Sequence, residues 1–140
     1  MADTPKKNDP VTILVVDDKN DSRQLLMRML RQATRALVLE ARDGDQAVND
    51  FLAHQPALTF LDIDMPGTNG LAALSAIRAV SPDASIVMVS GTSSASNVKE
   101  ALALGAAGFV VKPYSAGRIL AVLEKFEKAS GRSILKKDAG

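Results

Sequence analysis

The chain has 140 residues, of which 46% are hydrophobic and 24% are charged, which suits one domain with a single sizeable core. The formal net charge of +1 gives no indication of non-specific binding to nucleic acid or to a membrane surface. The absence of cysteine excludes a disulfide scaffold, Cys-ligated zinc and a thiol nucleophile. The single histidine, His54, argues against a His-cluster metal site and against Ser-His catalysis.

In chain order, short apolar runs alternate with segments of helical periodicity. The runs predict strands at residues 11–16, 37–39, 57–61, 86–89 and 109–111. The segments between and after them predict five helices, since their apolar residues recur three and four positions apart. The five apolar stripes are Leu25, Leu26, Met29, Leu30 and Ala33; Ala47, Val48, Phe51 and Leu52; Leu71, Leu74, Ile77 and Val80; Val98 and Leu102; and Ile119, Leu120, Leu123 and Phe126. The fourth helix is predicted to start near Asn97, because Asn97 and Glu100 resemble a capping box.

The sequence also predicts the limits of the folded unit. No segment reaches the roughly 18 apolar residues of a transmembrane helix, and polar residues 1–10 lack the apolar stretch of a signal peptide. We therefore expect a soluble, cytoplasmic protein without membrane insertion. Its expected parts are an N-terminal extension (1–10), one folded domain (11–129) and a C-terminal tail (130–140) that is too short for an output domain.

Strand runs that are apolar at nearly every position are typical of a parallel sheet covered by helices on both faces. Five strand–helix pairs therefore predict an α/β fold of three layers, a (βα)5 doubly wound parallel sheet. Right-handed crossovers bring the carboxyl ends of the strands to one edge, where ligands bind in open sheets of this kind.

Polar and charged residues occupy four of the five strand ends. They are Asp17 and Asp18 after the first strand, Asp62 after the third, Ser90 after the fourth and Lys112 after the fifth. Alone, the first two are typical of a solvated loop or a helix cap, and the lysine is typical of a solvated surface residue. Together they indicate a site. Carboxylates at one edge repel each other without a cation, and an oxygen-only set suits Mg²⁺.

These motifs resemble the receiver domains of bacterial two-component response regulators, in particular stand-alone receivers of the chemotaxis-regulator type. The matching motifs are VVDD (15–18), LDIDMPGTNG (61–70), VMVSG (87–91) and GAAGFVVKPY (105–114). The resemblance covers about residues 11–128. It implies a flavodoxin-like strand order of 2-1-3-4-5, which is taken from the family rather than from the periodicity.

The resemblance implies that Asp62 accepts a phosphoryl group and becomes an aspartyl phosphate. The donor would be a histidine of a sensor histidine kinase or of a histidine phosphotransfer protein. The implied Mg²⁺ ligands are Asp62, Asp18 directly, Asp17 mainly through a water, and the backbone carbonyl of Asp64.

The remaining implied roles concern binding of the phosphoryl group and the switch that follows. Ser90 would donate its hydroxyl to the phosphoryl group, and Lys112 would pair first with the acceptor carboxylate and then with the phosphoryl oxygens. Phe109 would be the aromatic residue that turns inward when Ser90 moves, and the Lys112–Pro113 peptide would be cis. An unidentified downstream protein, rather than nucleic acid, would read the surface of the fourth helix, fifth strand and fifth helix: residues 97–104, 109–111 and 115–127.

The resemblance implies a signalling phosphoacceptor with at most weak self-catalysed phosphorylation and dephosphorylation, acting as a monomer or a phosphorylation-linked dimer. Alternatives stay open. One alternative is that the chain is a fragment of a longer regulator with an output domain. Another is a DxD-type phosphatase, which is disfavoured because Asp62 and Asp64 lie mid-chain. A degenerate receiver used only for protein binding is disfavoured by the intact acids and lysine. A mononucleotide-binding flavodoxin-like protein is disfavoured because no Gly-rich loop follows the first strand.

Overall fold

The computed structural model describes residues 11–65, 69–91 and 95–136. The expected N-terminal extension (1–10), the last four residues of the expected tail and residues 66–68 of the LDIDMPGTNG motif lie outside the described residues. Within the described ranges, no helix combines the length and the apolarity needed to cross a membrane.

Strands and helices alternate along the described chain. The strands are β1 (Thr12–Val16), β2 (Leu37–Ala41), β3 (Leu58–Asp62), β4 (Ile86–Ser90) and β5 (Gly108–Val111). The helices are α1 (Asn20–Ala33), α2 (Gly44–His54), α3 (Gly70–Val80), α4 (Ala95–Ala103) and α5 (Ala116–Ser130). All neighbouring strands are parallel, in the order β2-β1-β3-β4-β5. The predicted fold class and the strand order implied by the resemblance are both confirmed.

Two apolar clusters, one on each face of the sheet, form the core. Successive residues of β1 point to opposite faces, as in any strand. Ile13 and Val15 pack in a cluster with α1 and α5, whereas Leu14 and Val16 pack in a second cluster with α2, α3 and α4. Because helices cover both faces, the central strands contain few polar residues, which explains their continuous apolar runs.

Several local predictions about the helices were wrong. Leu25 was assigned to the buried stripe of α1 but is 40% exposed, whereas Met27 is 1% exposed. The reason is that the buried face is rotated towards Arg23, which lies three residues before Leu26 and is itself buried. Helix α4 begins at Ala95, before the predicted start. Four other stripe residues are also exposed: Leu52, Val80, Leu102 and Leu120.

The segment after α5 packs back onto the domain. The chain reverses at Gly131, whose φ of 73° is in the left-handed region that glycine adopts without strain. Ile134 is 1% exposed within the cluster of α1 and α5. The Glu127 carboxylate accepts hydrogen bonds from the backbone N–H groups of Ile134 and Leu135, at 2.6 and 3.0 Å. Residues 131–136 are therefore anchored by one buried side chain and by backbone hydrogen bonds.

Candidate functional site

The carboxyl ends of four adjacent strands bring the site residues predicted from the sequence to one edge of the sheet. They are Asp17 and Asp18 after β1, Asp62 at the end of β3, Ser90 at the end of β4 and Lys112 after β5. Helix α3 also begins against this edge, since a Cβ atom on its first residue, Gly70, would overlap the carbonyl oxygen of Asp62. The close approach of α3 to β3 therefore requires glycine at this position.

Three carboxylates form a cluster that we call the acidic pocket, defined by Asp17, Asp18 and Asp62. Each offers an oxygen atom, and the three atoms lie within 4.8 Å of one another. Asp17 and Asp62 are both 1% exposed. One oxygen of Asp18, Oδ1, is buried and has no hydrogen-bond partner among the described residues. Closely spaced anionic oxygens with an unsatisfied buried atom fit a hard divalent cation such as Mg²⁺.

A lysine supplies the positive charge opposite this cluster. The Nζ atom of Lys112 lies 2.8 Å from Oδ2 of Asp62 and 3.0 Å from Oδ2 of Asp17. Burial acts to lower the pKa of Lys112, but its hydrogen bonds to the two carboxylates outweigh burial and raise that pKa, so the ammonium stays charged. The Lys112–Pro113 peptide is cis, as the resemblance implied.

The pKa values of the two buried carboxyls are shifted in opposite directions. Burial raises the pKa of Asp62 to about 6, although hydrogen bonds from Lys112 and from the backbone N–H of Asp64 favour the ionised form. Burial also acts to raise the pKa of Asp17. Hydrogen bonds from the Ser22 hydroxyl, from a backbone N–H and from Lys112 outweigh it and hold that pKa below its usual value. Asp62 is therefore the carboxyl whose ionisation the pocket opposes more strongly.

Asp64 connects the acidic pocket to the end of β4. Its backbone N–H donates to Oδ1 of Asp62 at 3.0 Å, and its exposed carboxylate accepts a hydrogen bond from the Ser90 hydroxyl, also at 3.0 Å. The Asp64 side chain is not among the three carboxylates of the acidic pocket. The sequence did not predict the contact with Ser90. The expected role of the Asp64 backbone carbonyl as a metal ligand stays a prediction.

Arg23, a residue that was not predicted from the sequence, hydrogen-bonds to the backbone of the acidic pocket. Its guanidinium donates to the carbonyl oxygen of Asp17 at 3.0 Å, to Oδ1 of Asn20 at 2.8 Å and to Oε1 of Glu40 at 2.7 Å. The side chain is almost fully buried. A signal was present, because Arg23 lies on the same helical face as Leu26, three residues on. A charged residue on a buried stripe calls for partners.

Tyr114 lies next to Ser22, which is in the first turn of α1. The Tyr114 hydroxyl is 3.2 Å from the Ser22 hydroxyl, and Ser22 is one of the groups that lower the pKa of Asp17. Burial raises the pKa of Tyr114, so the phenol stays protonated at neutral pH. The structure thus places Tyr114 beside Ser22 and close to the acidic pocket.

Comparison with known proteins agrees with this arrangement. The family model described as the response regulator receiver domain matches residues 13–124. The chain is 37% identical to the chemotaxis protein CheY of Bacillus subtilis (strain 168) over 113 residues, covering 81% of this chain and 94% of that protein. It is 33% identical to the chemotaxis protein CheY of Thermotoga maritima over 116 residues, covering 83% of this chain and 97% of that protein.

Solved structures with the same architecture include two further receivers. The Vibrio cholerae chemotaxis protein CheY4 has a TM-score of 0.79 at 28% identity, covering 84% of this chain and 99% of that one. The CheY-like response regulator receiver domain protein of Methanospirillum hungatei has a TM-score of 0.80 at 22% identity, covering 88% of this chain and 98% of that one. The second likeness concerns the fold alone.

Proposed function

Because the chain belongs to the response regulator receiver domain family, a family of two-component signalling proteins rather than classical enzymes, we propose that Asp62 accepts a phosphoryl group. The donor is a phosphohistidine of a sensor histidine kinase or of a histidine phosphotransfer protein. The main support is that Asp62 ends a buried strand, 2.8 Å from the Lys112 ammonium and beside two further carboxylates. The functional unit is the receiver at residues 11–129.

The acidic pocket is the proposed Mg²⁺ site. Asp17, Asp18 and Asp62 would hold the ion, with the backbone carbonyl of Asp64 as a further ligand. The unsatisfied Oδ1 atom of Asp18 supports this assignment. When bound, the ion supplies positive charge to the oxygens of the phosphoryl group during transfer.

The transfer itself needs little from the protein beyond an ionised, oriented carboxylate. With a pKa of about 6, Asp62 is mostly ionised at neutral pH and needs no general base. One of its oxygens forms the new O–P bond while the N–P bond of the phosphohistidine breaks and its electron pair stays on the imidazole nitrogen. Lys112 then moves its hydrogen bond from the carboxylate to a phosphoryl oxygen, which stabilises the added negative charge.

Ser90 is proposed to transmit the phosphorylation of Asp62 to the protein surface by changing its hydrogen-bond partner. The Ser90 hydroxyl breaks its hydrogen bond to Asp64 and donates to the phosphoryl group instead. Phe109, a half-buried residue of β5, then turns inward. The surface that responds is formed by residues 97–104, 109–111 and 115–127. Exposed apolar side chains on it suit contact with a protein partner, and they are Leu102, Val111 and Leu120.

The decisive experiment is phosphorylation of the Asp62→Asn variant. The wild-type protein should incorporate phosphate from acetyl phosphate in the presence of Mg²⁺, whereas Asp62→Asn should incorporate none. Asp83→Asn, which removes an exposed carboxylate far from the acidic pocket, is the control and should behave as wild type. Robust labelling of Asp62→Asn, or catalytic release of phosphate over many cycles by the wild type, would defeat the proposal.

A second measurement tests the switch. Beryllofluoride, which mimics a phosphoryl group on a carboxylate, should alter amide exchange in the responding surface of the Mg²⁺-loaded protein. If amide exchange changes only around Asp62, the mimic binds at the proposed phosphorylation site, but the proposed responding surface is refuted.

A further inference from the structure

A groove lies at the edge of the sheet opposite the acidic pocket. Its volume is about 470 Å³, and its walls come from the ends of α2 and α3 and from the turns that lead into β3 and β4. These are the amino ends of the strands, whereas the acidic pocket lies at their carboxyl ends. Phe51, Leu52, Pro56 and Val80 give the groove apolar walls. Leu52 and Val80 are both more than half exposed, at 53% and 57%.

Arg132 also lines this groove. Its Nη2 atom is buried and has no hydrogen-bond partner, and no ion pair or hydrogen bond of its guanidinium is present in the described part of the chain. A buried donor without an acceptor is costly, and the cost is larger for a charged group. Buried polar atoms without a protein partner call for an explanation such as an ordered water or an ion.

The position of Arg132 is fixed by the chain on both sides of it. Its backbone N–H donates to the Ser130 hydroxyl at 3.1 Å, and the chain reverses immediately before it at Gly131. Two residues later, Ile134 is buried in the core. Arg132 is thus part of an anchored segment. Arg132 itself lies outside the residues matched by the family model, 13–124, whereas the other residues that line the groove lie within them.

The charges around the groove limit what it can accept. The Arg132 guanidinium is half-buried and has no ion pair among the described residues, so it favours a carboxylate, which accepts charge-assisted hydrogen bonds. Asp83, an exposed carboxylate on the same groove, disfavours ligands with several negative charges. Gln55, Ser81 and Ser85 add polar groups to the apolar walls of the groove. Concave sites of this volume that combine apolar walls with a few placed polar groups are typical of small-molecule binding. We propose that the groove binds a small monocarboxylate with an apolar body, whose carboxylate pairs with Arg132 and whose body lies against Leu52 and Val80.

The test is a titration of the full chain with 3-phenylpropionate, followed by the chemical shifts of its backbone amides. The expected result is saturable shifts confined to residues 51–57, 80–85 and the neighbourhood of Arg132. Arg132→Gln should weaken binding about tenfold, as expected for the loss of one charge-assisted pair at a half-open site. Because the guanidinium makes no hydrogen bond in the described structure, this variant should keep its fold.

Matched controls separate the groove from general charge effects. Arg31→Gln removes an equal charge from an exposed position on α1 and should leave the affinity within about twofold of wild type. The neutral amide 3-phenylpropionamide should bind wild type as weakly as the acid binds Arg132→Gln. Leu52→Gln, at an exposed wall position, should also weaken binding. Scattered or non-saturable shifts, equal affinities for acid and amide, or equal losses in Arg31→Gln and Arg132→Gln would overturn the proposal.

Discussion

The hydrogen bond between Asp64 and Ser90 opposes the proposed switch, so removing its acceptor should make a phosphoryl mimic bind more tightly. The bond is 3.0 Å long and must break before Ser90 can donate to a phosphoryl group on Asp62. A net contribution of about 0.5–1 kcal/mol suits a bond to an exposed carboxylate, which corresponds to about a two- to fivefold change in affinity. Asp64→Ala should therefore bind beryllofluoride more tightly than wild type in the presence of Mg²⁺.

The loss of a negative charge beside the acidic pocket would act in the same direction, so a second variant is needed. Asp64→Asn removes the charge but keeps an oxygen that accepts a hydrogen bond from Ser90. The ratio of the affinities of Asp64→Ala and Asp64→Asn therefore isolates the hydrogen bond, and about two- to fivefold tighter binding by the alanine variant is expected. Calorimetric titration at a fixed Mg²⁺ concentration measures both constants.

The same pair of variants in a Ser90→Ala background completes the cycle. Without the hydroxyl there is no bond to lose, so the affinity ratio of Asp64→Ala to Asp64→Asn should fall to about one. A ratio that stays the same in this background would refute the reasoning, and so would an alanine variant that binds no more tightly than the asparagine variant.

Three further predictions concern the metal, the pH and the C-terminal segment. Millimolar Mg²⁺ should raise the melting temperature of wild type and of Asp83→Asn but not of Asp18→Asn, because a ligand that binds only the folded state stabilises it; equal rises in all three would contradict the metal assignment. In metal-free protein, Asp62→Asn should raise the free energy of unfolding above pH 6 by up to about 3 kcal/mol. This gain should shrink towards pH 4, because the folded pKa of about 6 exceeds the unfolded 3.8; urea titrations that give a constant gain would contradict this. Ile134→Ala should cost about 2–4 kcal/mol, and Leu135→Ala, at a half-buried position, less than half as much; equally small losses in chemical denaturation would show that the segment is not anchored.

The fold was predictable because its main signals are local. Five apolar runs and the helical segments between them are visible in the sequence, and the parallel arrangement follows from runs that are apolar on both faces. Helix details were less accessible. Leu25 and Met27 are both apolar and two positions apart on α1, so only the packing of the helix against the sheet decides which is buried. The start of α4 at Ala95 was missed because the spacing of Asn97 and Glu100 also occurs inside helices.

The sequence allowed prediction of which residues of the site lie close together, because the carboxyl ends of strands in a parallel sheet lie along one edge. Which atoms pair was not predictable. The contact of Ser90 with Asp64 depends on the side-chain directions of residues 26 positions apart. Two of the three hydrogen bonds of Arg23 depend on the carbonyl oxygen of Asp17 and on Glu40 in β2. Arg132 was assigned only to a tail, and nothing in its sequence context indicates that a reversal at Gly131 brings it to a groove.

Under the proposed function, the charges of the acidic pocket would allow one edge of the sheet to hold both a cation and a switch. Its three carboxylates face a single ammonium, Lys112, so the pocket carries an excess of two negative charges when all are ionised. A divalent cation balances that excess. A phosphoryl group on Asp62 would change the charge of that side chain from −1 to about −2. The acidic pocket would then lack positive charge and hydrogen-bond donors. Ser90, at the end of β4, offers a hydroxyl at the same edge of the sheet. Its acceptor Asp64 is exposed to water and can be solvated when the hydroxyl leaves. The same excess of negative charge that favours a cation would therefore draw the Ser90 hydroxyl towards the phosphoryl group. The proposed switch would in this way couple the chemistry at β3 to the surface beyond β4.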